Sequence, residues 1–573
     1  MDICTRSGSA SIWRSGLWSS TGRIMVWERR LSFSNAMQSS KDTVSRDQMV
    51  SINAVGKLFP GPSDMDRTLA EKLKTEGVIQ TKFHGQIPTD GDLWSCGPLD
   101  NRTWRWTLHA FLPLDPLIAV GDWDVVLSHI AEWSSRFGNA PVEADFPWHD
   151  HATALRLDRL SRIALQMPTE QLMPLAARHA TLLLEESFYS RHTNHGFDQA
   201  LSLMLASLAF PHHPESRRWQ QIGVARLDDE IRFAFTSEGV HVENSPAYHM
   251  GMISNLNRAR RLLHAVGDQA VLLGFDKLFD QALRFLAWVT RPDRFVCYLG
   301  DSVSYRPNVP AELADLPGFA QVRYVATAGR EGSAPSESFI VYQESGYAIY
   351  RSRWSPWERH THIMMKCGFL SRYHRQDDDL NVLVHAHGED WLIDSGLYNH
   401  NHDDPVRIYM RSARAHNVPF VPGAKVNRST PDADFATLEP LSRDDFPYAV
   451  QGMTRMYAGM RMVRQLLIKD ENNFRLVDKI LSSKDSSCYW LFHVPLDKKI
   501  SIGANTCRVV GKQMSLVISS SERLNCEVQR GFAGRFPSVT SVTVNQLEDS
   551  QVIVFGPATV EKVAFSFRFQ SKE

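Results

Sequence analysis

The chain is poor in the features that most quickly assign a class. Its seven cysteines, at 4, 96, 297, 367, 488, 507 and 526, are odd in number, scattered and free of any C-x-x-C pair. That argues against a disulfide framework or a zinc ribbon and for reduced, mostly buried thiols. No window approaches the ~18 apolar residues of a membrane span. Excess charge of one sign is also missing, since 63 Lys+Arg face 64 Asp+Glu for a net charge of −1. Without a polycationic surface no nucleic-acid partner is expected, and any anion has to be recognised locally. No repeat with a period of roughly 20–50 residues is visible.

What is present is an ordinary globular composition, 43% hydrophobic and 22% charged, over 573 residues. At ~150 residues per domain this predicts two or three domains. The 22 histidines and 15 tryptophans are the unusual entries, the former supplying bases and metal ligands, the latter flat faces for sugars or bases. The first residues are Ser- and Arg-rich and lack an apolar run of signal-peptide length. Residues 1–45 are therefore expected to be a disordered or spurious extension, with Met25 and Met37 as alternative initiators. The expected location is cytoplasmic, or periplasmic if the start is misassigned.

Hydrophobic periodicity divides the rest. Segments such as HATALRLDRLSRIALQ, FDQALSLMLASLAF and FDKLFDQALRFLAWV repeat apolar residues at three- and four-residue steps, which predicts a helical array over residues 46–330. After AGREGSAPSES (328–338) the period becomes two. In KVAFSFRFQ, Val563, Phe565, Phe567 and Phe569 fall on one face and Ala564, Ser566 and Arg568 on the other. Residues 338–573 read as an antiparallel β-sandwich of many strands.

Three segments concentrate polar residues. In RHTNHGFDQALSL, Asn194 and His195 precede a helix whose start favours an anion, although Asn194 also reads as a plain N-cap. In EGVHVENSPAYHMGM, the loop marked by Gly239 and Pro246 crowds Glu243, Asn244, Ser245, Tyr248 and His249 together. Tyr248 can move a proton if its neighbours tune it, and otherwise packs with a satisfied hydroxyl. The densest is RYHRQDDDLNVLVHAHGEDWLIDSGLYNHNHDDPVRIYMRSARAHN, with His374, Gln376 and Asp378 in a loop entering a strand and a hairpin at HGED. Strand pairing brings Asp394 back toward the first strand, and His416 completes a set of N and O ligands. The competing reading makes DDD and HDD solvated turns.

Taken with TNHGFD (193–198), EGVHVENSPAYH (238–249), LGDS (299–302), ESGYAIYRS (344–352), YHRQDDDLNVLVHAHGEDWLIDSGLY (373–398) and SARAHN (412–417), the order of pieces resembles the heparinase II/III-like polysaccharide lyases. The resemblance implies an α+β multidomain chain in which an N-terminal α/α toroid is followed by a C-terminal antiparallel β-sandwich. It implies cleavage of a uronic-acid-containing polysaccharide, heparin/heparan-sulfate-like, alginate-like or capsular, by β-elimination. The C5 proton of a uronate is too weakly acidic to remove until the adjacent carboxylate is neutralised. By resemblance, Asn194 and His195 donate to that carboxylate, Tyr248 protonates the leaving oxygen and in a syn elimination also takes the C5 proton, and His374 either acts as base for the opposite epimer or helps to neutralise the acid group. Trp148, Arg156, Glu243 and Tyr409 are implied on the substrate side. Asp394 and His416 match the ligands of one structural divalent metal, zinc or calcium, with Gln376 in the third place. Here the usual His-x-His reads His374-Arg375-Gln376, offering an amide oxygen where zinc prefers imidazole. The implied partner is an acidic polysaccharide. Two other readings remain: a toroid glycoside hydrolase using Asp198 and Glu243, and a non-catalytic carbohydrate-binding or assembly protein.

Overall fold

A computed structural model describes residues 58–59, 61–81, 84–140, 146–355, 357, 360–427, 435–482 and 486–572. The extension expected over residues 1–45 lies outside them. Among the described residues, eleven helices lie in the N-terminal part: α1 (Asp64–Glu76), α2 (Arg102–His109), α3 (Asp115–Val120), α4 (Trp123–Phe137), α5 (Asp150–Gln166), α6 (Met173–Leu184), α7 (Asn194–Ala209), α8 (Ser216–Ala234), α9 (Pro246–Val266), α10 (Gln269–Val289) and α11 (Pro317–Ala326). They form the toroid. A small hairpin, β1 (Val78–Thr81) and β2 (Gly85–Pro88), interrupts them where no strand was expected. Among the described residues, no helix is long and apolar enough to cross a membrane.

Local chemistry sets the helix starts that matter most. Thr193, not Asn194, caps α7, its hydroxyl accepting from the Gly196 amide at 3.2 Å. That places Asn194 at the first helical position with its side chain exposed. Gly196 has no alternative, because a Cβ there would lie 2.5 Å from the Ser190 carbonyl oxygen. At α9, Ser245 accepts from the Tyr248 amide at 3.3 Å and Pro246 occupies the first turn, where a missing N–H costs nothing.

The C-terminal part holds three antiparallel sheets. The first comprises β3 (Phe339–Tyr342), β4 (Tyr347–Arg351), β5 (His362–Lys366), β6 (Asn381–Ala386) and β7 (Glu389–Leu392). The expected HGED hairpin joins β6 to β7, with His387 and Gly388 at φ 54° and 77°, as a two-residue hairpin turn requires. An eight-stranded sheet runs from Lys499–Ile502 at one edge to Ala436–Pro440 at the other. A five-stranded sheet around Cys488–Pro495 and Gln546–Ala558 completes the sandwich. The alternation expected near the C-terminus is present: Val563, Phe565, Phe567 and Phe569 are buried, while Arg568 is exposed.

The β3–β7 sheet is buried on both faces. Tyr347, Ile349, Met364 and Leu383 pack into the helical core with Phe285 and Trp288 of α10. The alternating residues Ala348, Tyr350, Ile363, Met365, Val382 and Val384 enter the sandwich core. Polar bonds reinforce this junction, among them Asn244 Nδ2 to the Ser371 and Tyr373 carbonyls, each at 2.9 Å. Deeper in the sandwich, Arg464 donates to Asp478 at 2.7 and 2.8 Å and to the Leu380 and Asn417 carbonyls at 2.7 and 2.6 Å.

Several histidines are core residues held neutral. Burial pushes His109 down to about 3, with Arg156 and Arg105 adding to the effect. Burial likewise puts His241 at about 3 and His249 at about 4. An unfolded histidine titrates near ~6.5, so below that pH the unfolded chain binds protons that the folded chain refuses. Their contribution to stability is therefore complete above pH ~6.5 and declines toward pH ~4, by up to about 1.4 kcal/mol per pH unit for each histidine. Denaturant unfolding midpoints should fall steeply across that window; a midpoint independent of pH there would contradict neutral burial of these rings.

Candidate active site

Two clusters carry the chemistry. The first sits where the start of α9 meets the loop before β6. His374 occupies the left-handed region at φ 54°, a conformation that must be enforced by its surroundings. The enforcement is ionic. Arg375 donates to Asp379 at 3.0 and 2.5 Å and to the Gly368 carbonyl at 2.8 Å, and Lys366 meets Asp378 at 2.6 Å, all with buried side chains. The DDD run is thus interior scaffolding, and its reading as a solvated turn is overturned.

His374 Nδ1 lies 3.0 Å from Asp301 Oδ2. Asp301 also accepts from both terminal nitrogens of Arg407, at 2.6 Å for Nη1, and from Gln376 Nε2. Burial alone would raise its carboxyl, but the bonds from His374 and Arg407 win and hold it below the usual carboxylate range. An anionic Asp301 fixes the His374 hydrogen on Nδ1, so Nε2 carries the lone pair, 3.5 Å from Glu243 Oε2. The Tyr248 ring stacks on His374 at 3.9 Å. Burial, and then the carboxylates of Asp301 and Glu243, push the Tyr248 phenol up to about 12. Burial also raises the Glu243 carboxyl, opposed by His374. A proton-bearing phenol thus lies against an imidazole that Asp301 orients through Nδ1 and whose Nε2 faces Glu243.

The second cluster lies at the starts of α5 and α7. Asp150 receives His149 Nδ1 at 2.9 Å, His195 Nδ1 at 3.0 Å and the Ser190 hydroxyl. Burial would raise its carboxyl, yet these three contacts hold it well below the usual range. The His151 ring stacks on His195 at 4.1 Å and its Nε2 lies 2.9 Å from Asp198, which Arg258 also binds at 2.7 Å. The Asn194 side chain stays exposed beside them. Among the described residues no hydrogen bond, ion pair or ring contact joins this cluster directly to Tyr248 and His374.

The expected metal ligands lie nearby. Asp394 Oδ2 is 3.0 Å from His416 Nδ1 and accepts from Asn381 Nδ2 at 2.5 Å, while Oδ1 accepts the Gly300 and Gly396 amides at 3.3 and 3.1 Å. His416 Nε2 and Gln376 Oε1 are buried without hydrogen-bond partners. A buried amide oxygen without a donor suits a cation. Among the described residues, no three His, Cys, Asp or Glu side chains converge on a metal position.

Three substrate-side assignments are corrected. Trp148 is 1% exposed, donates to the Phe137 carbonyl at 3.2 Å and packs against Trp133. Arg156 is 0% exposed and spends its guanidinium on the His109 and Pro147 carbonyls and His179, with Trp133 beneath it at 4.3 Å. Tyr409 is buried with Met410 and Val539, its hydroxyl donating to the Pro537 carbonyl. Its helix, α12 (Pro405–Met410), serves the site through Arg407 instead. The carboxylates of the hydrolase reading are engaged elsewhere, Asp198 with His151 and Arg258, Glu243 with His374. Sequence reasoning gave no role to Asp301, Arg407, His149, Asp150 or His151. LGDS counts there only as one piece of the resemblance, and nothing in the sequence marks residues 149–151.

Two family models match the chain: Heparinase II/III N-terminus over residues 164–318 and Heparinase II/III-like, C-terminal over residues 334–568. A heparin-sulfate lyase of Pedobacter heparinus is 22% identical over 377 residues, covering 61% of this chain and 57% of its own length. A heparin-sulfate lyase of Bacteroides stercoris is 21% identical over 453 residues, covering 70% of this chain and 66% of its own. The chain thus spans less than two thirds of either relative. A crystal structure of a heparan sulfate lyase mutant from Pedobacter heparinus superimposes with a TM-score of 0.74 at 18% identity, over 90% of this chain and 84% of that one, which bears on fold alone.

Truncating the buried side chains should act on stability. Arg156→Ala and Trp148→Ala should each cost roughly 3–5 kcal/mol in denaturant unfolding, from lost packing and abandoned carbonyl acceptors. An unchanged midpoint together with weakened binding of a uronate oligosaccharide would return these residues to the cleft.

Proposed function

The chain belongs to the heparinase II/III-like family, and from that premise we propose that it cleaves a uronic-acid-containing polysaccharide by β-elimination, leaving a 4,5-unsaturated uronate at the new end. The observation that carries the reading is the Asp301–His374–Tyr248 arrangement, a base oriented by a buried carboxylate against a phenol that retains its proton.

The bookkeeping closes with this chain's own groups. Asn194 and His195, at the positive end of α7, hold and neutralise the uronate carboxylate so that charge developing from C5 is stabilised. His374 Nε2 takes the C5 proton, and the imidazolium so formed is stabilised by anionic Asp301, the part played by the carboxylate of a Ser-His-Asp triad. The electron pair forms the C4–C5 double bond, the C4–oxygen bond breaks, and the Tyr248 hydroxyl protonates the departing oxygen. Transfer of a proton from His374 back to Tyr248, whose ring stacks on it, restores both groups. The raised phenol keeps its proton available for the departing oxygen.

The substrate class follows from the relatives, whose names specify heparin-sulfate lyases. Incubation with heparan sulfate, heparin, alginate, hyaluronan and chondroitin should produce the ultraviolet absorbance of an unsaturated uronate on at least one of them. Silence on all would count decisively against the reading, and new reducing ends without the chromophore would replace it with hydrolysis. Tyr248→Phe should lower kcat by roughly 10²–10⁴-fold at an unchanged unfolding temperature. Retained turnover would remove Tyr248 from the mechanism.

Gln376, Asp394 and His416 would hold one divalent cation, zinc or calcium, with His416 Nδ1 giving up its hydrogen to the ion beside Asp394 Oδ2, and its fixed charge would brace the segments beneath the His374 loop. Either ion, added to chelator-treated protein, should raise the unfolding temperature, and Gln376→Ala combined with His416→Ala should abolish the rise. No shift with either ion would remove the metal.

A further inference from the structure

His149 takes no part in the proton transfers between Tyr248 and His374, yet its ring is held from three sides. Nδ1 lies 2.9 Å from Asp150 Oδ1. One face stacks on Phe146 at 5.5 Å and 6°, and the Arg102 and Arg105 guanidinium groups lie 4.8 and 4.5 Å from that ring. The His195 ring stands 5.8 Å away at 65°. His149 Nδ1 is also 3.3 Å from the His151 amide, and one nitrogen cannot donate to a carboxylate while accepting from an amide. Asp150 is anionic, so the shorter, charge-assisted contact places the hydrogen on Nδ1. His195 Nδ1 makes a hydrogen bond of 3.0 Å to the other oxygen of the same carboxylate.

Two imidazoles thus turn Nδ1 toward one half-buried carboxylate, and neither Nε2 has a hydrogen-bond partner among the described residues. Both side chains remain partly open, 23% for His149 and 33% for His195, beside the exposed Asn194 amide. Capping α5 would need only Nδ1. It explains neither the open Nε2 nor the aromatic and ionic bracing of the ring. A polymer of acidic sugars brings anionic groups to the cleft at intervals, and an imidazole carrying protons on both nitrogens can bridge Asp150 and one of them.

We propose that His149 is a second anion-binding donor of the cleft, acting beside Asn194 and His195 on a carboxylate or sulfate of the polysaccharide, with Asp150 as the positioning residue that aims both rings. This rests on the lyase reading above.

The test uses the full chain, one sulfated and one unsulfated uronan, and the unsaturated-uronate absorbance. His149→Ala should raise KM about ten- to hundredfold with kcat within about threefold of wild type. His149→Gln keeps a donor near the Nε2 position and bulk over Phe146, and should hold KM within about threefold of wild type. Asp150→Asn should raise KM at least as far as His149→Ala. A rise confined to the sulfated polymer identifies sulfate as the bound group; a rise on both identifies the uronate carboxylate. An unchanged KM in His149→Ala, or an equal rise in His149→Gln, overturns the assignment, and the Gln comparison decides even where the Ala variant is less stable. A wild-type protein silent on every uronate sinks the lyase reading and this inference together; an active wild type with unaffected His149 variants sinks the inference alone.

Discussion

Asp301 is a carboxylate removed from water, and it accepts from residues that lie 73 to 106 positions further along the chain: His374, Gln376 and Arg407. Taking such a charge out of solvent is expensive, and only a full set of donors in good geometry offsets the cost. Those donors come from the loop before β6 and from α12, while Asp301 itself lies between α10 and α11. The backbone carbonyl of Asp301 also receives the Ser245 hydroxyl, which caps the helix bearing Tyr248. One residue therefore sets the tautomer of the base, the start of the helix that carries the acid, and the seam between the two halves.

A second layer of ion pairs supports the first. Arg375 with Asp379, Lys366 with Asp378 and Arg464 with Asp478 are buried and bonded at both ends. Arg464 further binds the carbonyls of Leu380 and Asn417, which bracket the polar loop on one side and follow His416 on the other. The near-zero net charge of the chain thus conceals an interior dense in matched charges. These pairs do little for gross stability relative to apolar packing, but each is strongly directional, and direction is what a left-handed His374 needs.

The two periods of hydrophobicity made the succession of toroid and sandwich legible, and the HGED turn and the alternating Val563–Phe569 face were legible for the same reason. What periodicity cannot separate is a strand buried on one face from a strand buried on both, so the number of sheets stayed hidden. At the site, Tyr248 and His374 stood out because loops crowded with polar residues are conspicuous. Asp301 did not, because a single aspartate owes its role to partners far along the chain. Trp148, Arg156 and Tyr409 were misplaced because amphipathic side chains look alike in a string of letters. An arginine whose donors all find carbonyls, as Arg156 does, is indistinguishable there from one reaching for a ligand.

The β3–β7 sheet belongs to two cores at once, contributing alternate side chains to each. Neither half can be lifted out whole: cutting the chain between α11 and β3 would strip the helices of one wall and leave the sandwich with a naked apolar face. The unit of inheritance is consequently the pair. Recombination between relatives that exchanged only a toroid or only a sandwich would have to re-fit every residue on one side of this sheet, so substrate range in such a chain is far easier to vary through loops over the cleft than by trading modules.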